Sequence, residues 1–252
     1  MDAAEYRQIA DYLRLAERSK YTYGDIQARF QTEQAATYGD NMGHWIPDFE
    51  YAHQLLLDSI AIHLPGSADM VELGAGTGRV SQLLLDTFPD VRLSLVDLST
   101  NMLSAARQRL AAHAARCKFI VHDIFDPGLD FAADSADCVV SVFAICHAQG
   151  YANYQQLYQR IYRWLKPGGY FVCYDHVRGD TFELTALNAL GWHRLLAASQ
   201  TAEQAKDGIV GTYQEDSPLS LRQHLNLLSA AGFSAVDVLY KRDIFSIYAG
   251  VK

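Results

Sequence analysis

The sequence predicts an α/β fold: a mostly parallel sheet covered on both faces by helices, with a helical appendage. Three observations carry this. From Met70 onward, short apolar runs of strand character alternate with helical runs of ten or more residues, which is the rhythm of βαβ crossovers. The alternation closes on two strand-like runs, "AVDVLYK" and "DIFSIYAGV". They stand too close for a helix between them and so are expected to pair antiparallel. A length of 252 residues, half of them hydrophobic, suits one such domain with a modest addition.

The elements follow in order. Positions 3–18 carry Tyr6, Ile9, Ala10, Leu13 and Ala16 at helical spacing. "FQTEQAATYGDNMGHWIPDF" breaks the pattern with Gly39, Gly43 and Pro47. A helix over about 48–63 has Phe49, Ala52, Leu55, Leu56 and Ile60 on one face, and "LPGSAD" ends it. Then "MVELG", "RLSLVDL", "CKFIVHDI", "DCVVSVFAI" and "YFVCYDH" read as strands. Between them, "GRVSQLLLDTF", "TNMLSAARQRLAAH" and "YQQLYQRIYRWL" read as helices. Residues 181–206 are expected to be mostly helical and 207–217 a polar, glycine-bearing break. The last helix, within "SPLSLRQHLNLLSAAGF", starts at a serine cap, Ser217 or Ser220, and stops at Gly232.

Composition narrows the function classes. The net charge is −8, with no cluster of lysines and arginines, which disfavours a long polyanion as partner. The four cysteines, Cys117, Cys138, Cys146 and Cys173, lie in or beside apolar runs and form no CxxC pair. Buried free thiols are expected, with no disulfide framework and no bound metal. No run of eighteen apolar residues occurs, and the first twenty residues lack the order of a signal peptide. No membrane partner is expected, and a cytoplasmic location is.

The chemistry gathers around "VELGAGTGRV", residues 71–80. Glycine permits positive φ and close approach of backbone to a ligand, and the turn sits where open α/β sheets bind ligands, at a strand's carboxyl end. The pattern is not the GxGxxG of dinucleotide folds. Glu72, two residues before the first glycine, would repel a pyrophosphate and suits a cofactor carrying positive charge. Asp97 ends the second strand about twenty residues on, where a ribose hydroxyl pair is held in such folds, and Asp123 ends the third.

With "LVDLS", "HDI" and "LKPGGYFVCYD" added, the chain resembles the class I S-adenosylmethionine-dependent methyltransferases, well over residues 45–180 and again in the terminal hairpin. The resemblance implies a Rossmann-like, doubly wound sheet of seven strands, mostly parallel with an antiparallel terminal hairpin, plus a helical lid. It implies S-adenosylmethionine as cofactor, with S-adenosylhomocysteine as product. It makes Gly74, Ala75 and Gly76 the lining of the methionine portion and gives Glu72 the ammonium end. Asp97 would take the ribose hydroxyls, and Leu98, Met102 and Ile124 would flank the adenine. Asp123 would accept from the adenine amino group, with Phe143 and Tyr38 completing the cofactor set.

Methyl transfer is an in-line displacement in which the cofactor supplies the activated carbon and the protein aligns the acceptor and excludes water. A general base depends on the acceptor's pKa. His147, just past the fourth strand, and His176, just past the fifth, are the candidates. Two segments stand outside the cofactor domain of 48–252: the N-terminal lid, 1–47, and an insertion at about 177–217. Their aromatic residues suit a small, partly apolar acceptor. Tyr21, Arg29, Trp45, His147, Arg178, Trp192 and Tyr213 are the expected substrate contacts. The expectation is methylation of a nitrogen or oxygen of a small molecule by a monomer or homodimer. The alternatives are a non-methylating user of the same cofactor, as in carboxy-S-adenosylmethionine synthases, or a silent binding subunit. An NAD-dependent oxidoreductase is disfavoured by Glu72.

Overall fold

The computed structural model of the chain describes residues 3–32 and 45–252. Seven strands form one sheet: β1 (Ala68–Leu73), β2 (Val91–Asp97), β3 (Cys117–Val121), β4 (Ala136–Val142), β5 (Leu165–His176), β6 (Asp237–Arg242) and β7 (Phe245–Val251). Their order is β3-β2-β1-β4-β5-β7-β6. The first five run parallel, and β7 lies antiparallel to both β5 and β6. This is the expected doubly wound sheet with its terminal hairpin. The order of strand addition reverses between β1 and β4, so the crevice at their carboxyl ends is a switch point where such sheets take ligands.

Alternate side chains of each strand feed two cores. Met70, Cys138, Val140, Val172 and Tyr174 join one, with α3 (Phe49–His63), α4 (Arg79–Thr87) and α5 (Thr100–Arg109). Val71, Leu73, Val139, Phe171 and Cys173 join the other, with α6 (Tyr151–Trp164) and α9 (Leu221–Ala231). The period of two along a strand sends neighbours to opposite faces, and each large side chain buried this way contributes roughly 1.5–3 kcal/mol. Of the two serines proposed to start α9, Ser220 is the cap: its hydroxyl accepts from Gln223 N within a capping box, and Gly232 ends the helix at φ 114°.

Among the described residues, four α-helices lie outside this sandwich: α1 (Ala3–Arg18), α2 (Tyr23–Phe30), α7 (Phe182–Ala197) and α8 (Ala202–Glu215). α1 packs on α7 and α8, with Glu5 paired to Arg194 and the Arg14 guanidinium over the Phe182 ring. The segment between α1 and α2 is tied to the end of α8: Tyr21 N donates to Gln214 O and Lys20 Nζ to Asp216 O. The expected break at 207–217 is corrected. Ala205, Ile209 and Val210 are buried at helical spacing, and α8 runs on through Gly208 and Gly211 to Glu215. Gly208 serves packing, since a Cβ there would stand 3.1 Å from both Trp45 and Leu196. Among the described residues, no helix is long and apolar enough to cross a membrane.

Candidate active site

The turn after β1 is held by backbone. Gly74 N and Ala75 N both donate to Val96 O, at 2.8 and 3.0 Å. Gly74 has φ 77°, and a Cβ on it would sit 2.1 Å from that of Ala144, which only glycine avoids. At the end of β2 the Asp97 carboxylate accepts from Gly76 N through Oδ2 and from Ser99 N through Oδ1, both at 2.8 Å. Burial raises its pKa, and those two N–H donors oppose the rise. Glu72, 2 % exposed beneath the turn, accepts from the Ser81 hydroxyl. Burial pushes its carboxyl up to about 8, against the Ser81 bond and with some help from Asp97. A cation beside Glu72 would draw that proton off.

These groups form one end of a cavity of about 210 Å³. A void of roughly 150 Å³ already takes up a benzene ring, so this one has room for organic ligands. Glu72, Gly74, Ala75, Gly76, Asp97, Leu98, Met102, Ile124, Phe143, His147 and His176 all line it. Asp123 does not. Its carboxylate lies behind the wall, accepting from Tyr23 O–H at 2.8 Å, Phe125 N at 2.8 Å and Gln27 Nε2 at 3.3 Å. Helix α2, capped by a Thr22–Asp25 capping box, lays Tyr23, Ile26 and Phe30 over this side.

The far end is built around Asp216, 3 % exposed. His176 Nδ1 lies 2.5 Å from its Oδ2. His147 Nδ1 lies 3.0 Å from its Oδ1 but out of hydrogen-bond alignment, an ion-pair approach rather than a formed bond. Burial alone would raise the Asp216 pKa; the two imidazoles hold it well below the carboxylate range instead. Burial alone would lower that of His147, and Asp216 with Asp175 raises it. The Phe30 ring faces the His147 imidazole at 5.3 Å and Phe143 faces His176 at 5.2 Å. Asp175, buried behind them, accepts from Cys146 N and His176 N and so ties the end of β5 to the turn after β4. Donor atoms of Cys146, His147 and Asp216, and of Cys146, Asp175 and His176, come within 4.8 Å of one another. Burial and then the nearby carboxylates push the Cys146 thiol well above its usual pKa, which favours a thiol donor over a metal-ligating thiolate. All four cysteines are free thiols.

Several expected substrate contacts lie elsewhere, and these are corrections. Trp192 is a core side chain, its ring against Phe245 and its Nε1 donating to Trp45 O at 2.7 Å. Trp45 packs on Gly208 in the helical cover. Arg29 is ion-paired with Glu215, and both it and Tyr21 line a separate, more open surface pocket instead of the cavity. Arg178 is exposed, with its backbone N donating to Leu219 O. Tyr213 is half-buried beside α1 and away from the wall. Tyr38 lies outside the described residues. The sequence reading overlooked His53, Arg79, Phe125, Thr212, Glu215 and above all Asp216 as wall residues. The apolar spacing Ala205–Ile209–Val210 was the available signal: a helix carried through it ends at Asp216, just before Pro218.

A family model described as a methyltransferase domain matches residues 70–169. A carboxy-S-adenosyl-L-methionine synthase of Campylobacter lari is 22% identical over 236 residues, covering 90% of this chain and 95% of that protein. A trans-aconitate 2-methyltransferase of an Acidovorax species is 36% identical over 105 residues, covering 42% of this chain and 37% of its own length. Human N-acetylserotonin methyltransferase, solved with S-adenosylmethionine, is 16% identical with a TM-score of 0.63, over 98% of this chain and 66% of that one.

Proposed function

We propose that the chain binds S-adenosylmethionine and methylates a nitrogen or oxygen of a small molecule; the match of residues 70–169 to a methyltransferase-domain model and the fold shared with a solved S-adenosylmethionine-bound methyltransferase support this reading. The residues fit the cofactor. Glu72 is a buried acid whose ionised form a neighbouring cation would stabilise, the backbone at Gly74 leaves room that a Cβ would fill, and Asp97 lies one strand away. Glu72 holds the ammonium end, Gly74 to Gly76 line the methionine chain, Asp97 takes the ribose hydroxyls, and Leu98, Met102 and Ile124 hold the adenine. When bound, the cofactor supplies a methyl group activated on a sulfonium.

One observation carries the assignment of a reaction: the two imidazoles on one buried carboxylate, at the cavity end opposite the glycine turn. Asp216 is a positioning residue. Its Oδ2 bonds His176 Nδ1, which leaves that ring's Nε2 as acceptor, and its charge 3.0 Å from His147 Nδ1 favours proton uptake there; His147 serves as general base, with His176 beside it. Phe30, Phe143 and Ile26 exclude water. The carboxy-S-adenosylmethionine synthase reading is kept as the second because that similarity runs nearly end to end. Calorimetry with S-adenosylmethionine, S-adenosylhomocysteine and NAD tests the cofactor, and NAD binding alone would refute it. Incubation with methyl-labelled cofactor and cell extract, followed by mass spectrometry, separates the two reactions. A methylated small molecule is expected; a carboxylated cofactor in its place favours the second.

A further inference from the structure

We propose, resting on the methyl-transfer reading, that the acceptor is an uncharged, ring-bearing hydroxyl compound of the phenol or enol kind, and that carboxylates, phosphates and ammonium ions are not methylated here. The first ground is that the charges at the acceptor end are neutralised inside the protein. Both Asp216 oxygens face imidazoles, and its carbonyl takes the Lys20 ammonium at 2.6 Å. Glu215 reaches the cavity wall but is paired with Arg29, so the one arginine nearby is committed to it. Among the described residues, the arginine of the cavity wall itself, Arg79, stands at the opposite end, next to the glycine turn, with its guanidinium over the Phe49 ring at 4.7 Å. Residues 33–44, whose structure is not described, contain no lysine or arginine in their sequence, and they contain two acids, Glu33 and Asp40. An anionic acceptor would therefore lose its hydration without gaining a guanidinium or ammonium partner. A cationic one would find Asp216 and Glu215, the acids described at this end, already paired. Either transfer is costly.

The second ground is the base. An acceptor bearing a neutral O–H becomes a competent nucleophile only as its proton leaves, and an imidazole pair backed by a buried carboxylate is suited to take it. A carboxylate needs no such base. In the step, the acceptor oxygen forms a bond to the methyl carbon while the bond from that carbon to sulfur breaks, with its electron pair going to sulfur. The hydroxyl proton passes to His147 Nε2. The third ground is the lining: Phe30 and Phe143 stand beside the two imidazoles on the cavity wall and offer aromatic surface to a ring.

The test is the chemistry of the labelled product. The full chain is incubated with methyl-labelled S-adenosylmethionine and a metabolite extract, and the product is treated with mild alkali and passed over cation and anion exchangers. The expected product keeps its label in alkali, as an ether does, and is retained on neither exchanger at neutral pH. Label released as methanol means a methyl ester, and overturns the proposal. Retention on either exchanger means a charged acceptor, and also overturns it. The methyl-transfer reading fails separately: a protein that binds the cofactor by calorimetry yet labels nothing in any extract refutes that reading, and the acceptor class with it.

Discussion

The two ends of the cavity are built of different material. At the glycine turn the surface is backbone, shaped by the absence of side chains at Gly74 and Gly76, with the buried Glu72 and the half-buried Asp97 beside it. At the imidazole end the surface is side chain: His147, His176, Phe30 and Phe143 are arranged around Asp216. The first end is damaged by adding atoms, the second by removing them. A backbone-built end holds one constant ligand, whereas a side-chain-built end can be refitted to another acceptor without disturbing the sheet.

The largest effect should come from adding one carbon to the backbone-built end. Gly74→Ala places a methyl 2.1 Å from that of Ala144 at a φ of 77°. It is expected to cost about 2–4 kcal/mol in denaturant unfolding, with loss of cofactor binding. Wild-type stability and affinity in that variant would erase the contrast between the two ends.

Next is removal of charge at the other end. Asp216→Asn is expected to lower kcat about 10²-fold, with a smaller change in KM. The pH profile separates a positioning role from a structural one. Burial alone lowers the His147 pKa, while Asp216 and Asp175 raise it. Loss of Asp216 therefore moves the acidic limb of the rate profile to lower pH. A limb that stays in place would show that His147 is not the titrating base.

Glu72→Gln has a subtler effect, read in stability against pH. The Glu72 pKa is raised in the folded chain to about 8 from 4.5. The folded state thus holds its proton more tightly than the unfolded state does. Stability from this group is fully present below about pH 4.5 and is lost as pH climbs towards 8. Between about pH 5.5 and about pH 8.5 the wild type should lose about 3 kcal/mol more than the glutamine variant. Parallel curves would mean that Glu72 is ionised throughout.

The smallest effect tests the junction between the ends. Tyr23→Phe removes one hydrogen bond to Asp123, at a cost of about 0.5–1.5 kcal/mol in stability. It also removes one of the three donors that occupy that carboxylate, so cofactor affinity should rise in calorimetry. A fall would mean that Tyr23 itself contacts the cofactor.

The contrast also explains what the sequence made legible. Glu72, the glycines and Asp97 fall within 26 residues of continuous chain, and their meaning is a backbone conformation tied to strand ends, so a short string reveals it. The imidazole end draws on α2, the turn after β4, the end of β5 and the end of α8. His147 and His176 were visible because they follow strands. Asp216 was hidden because two glycines in α8 suggested a loop, and only the buried stripe through Ile209 marks that segment as helix. Trp192 and Tyr213 looked like pocket aromatics, but nothing in the sequence sets a ring that covers a ligand apart from one that packs a helix.

The docking of α1 on α7 and α8, with Lys20 and Tyr21 tied to the end of α8, has a consequence in time. A polypeptide leaves the ribosome from its amino end, and α1 emerges long before residues 182–215, which it packs against. Until they arrive, its buried face of Ile9, Leu13 and Ala16 has no lasting partner. Contacts this far apart in sequence form late. The glycine-turn end can take shape on a nascent chain while the other end still stands open, and the wall that selects the acceptor is completed last.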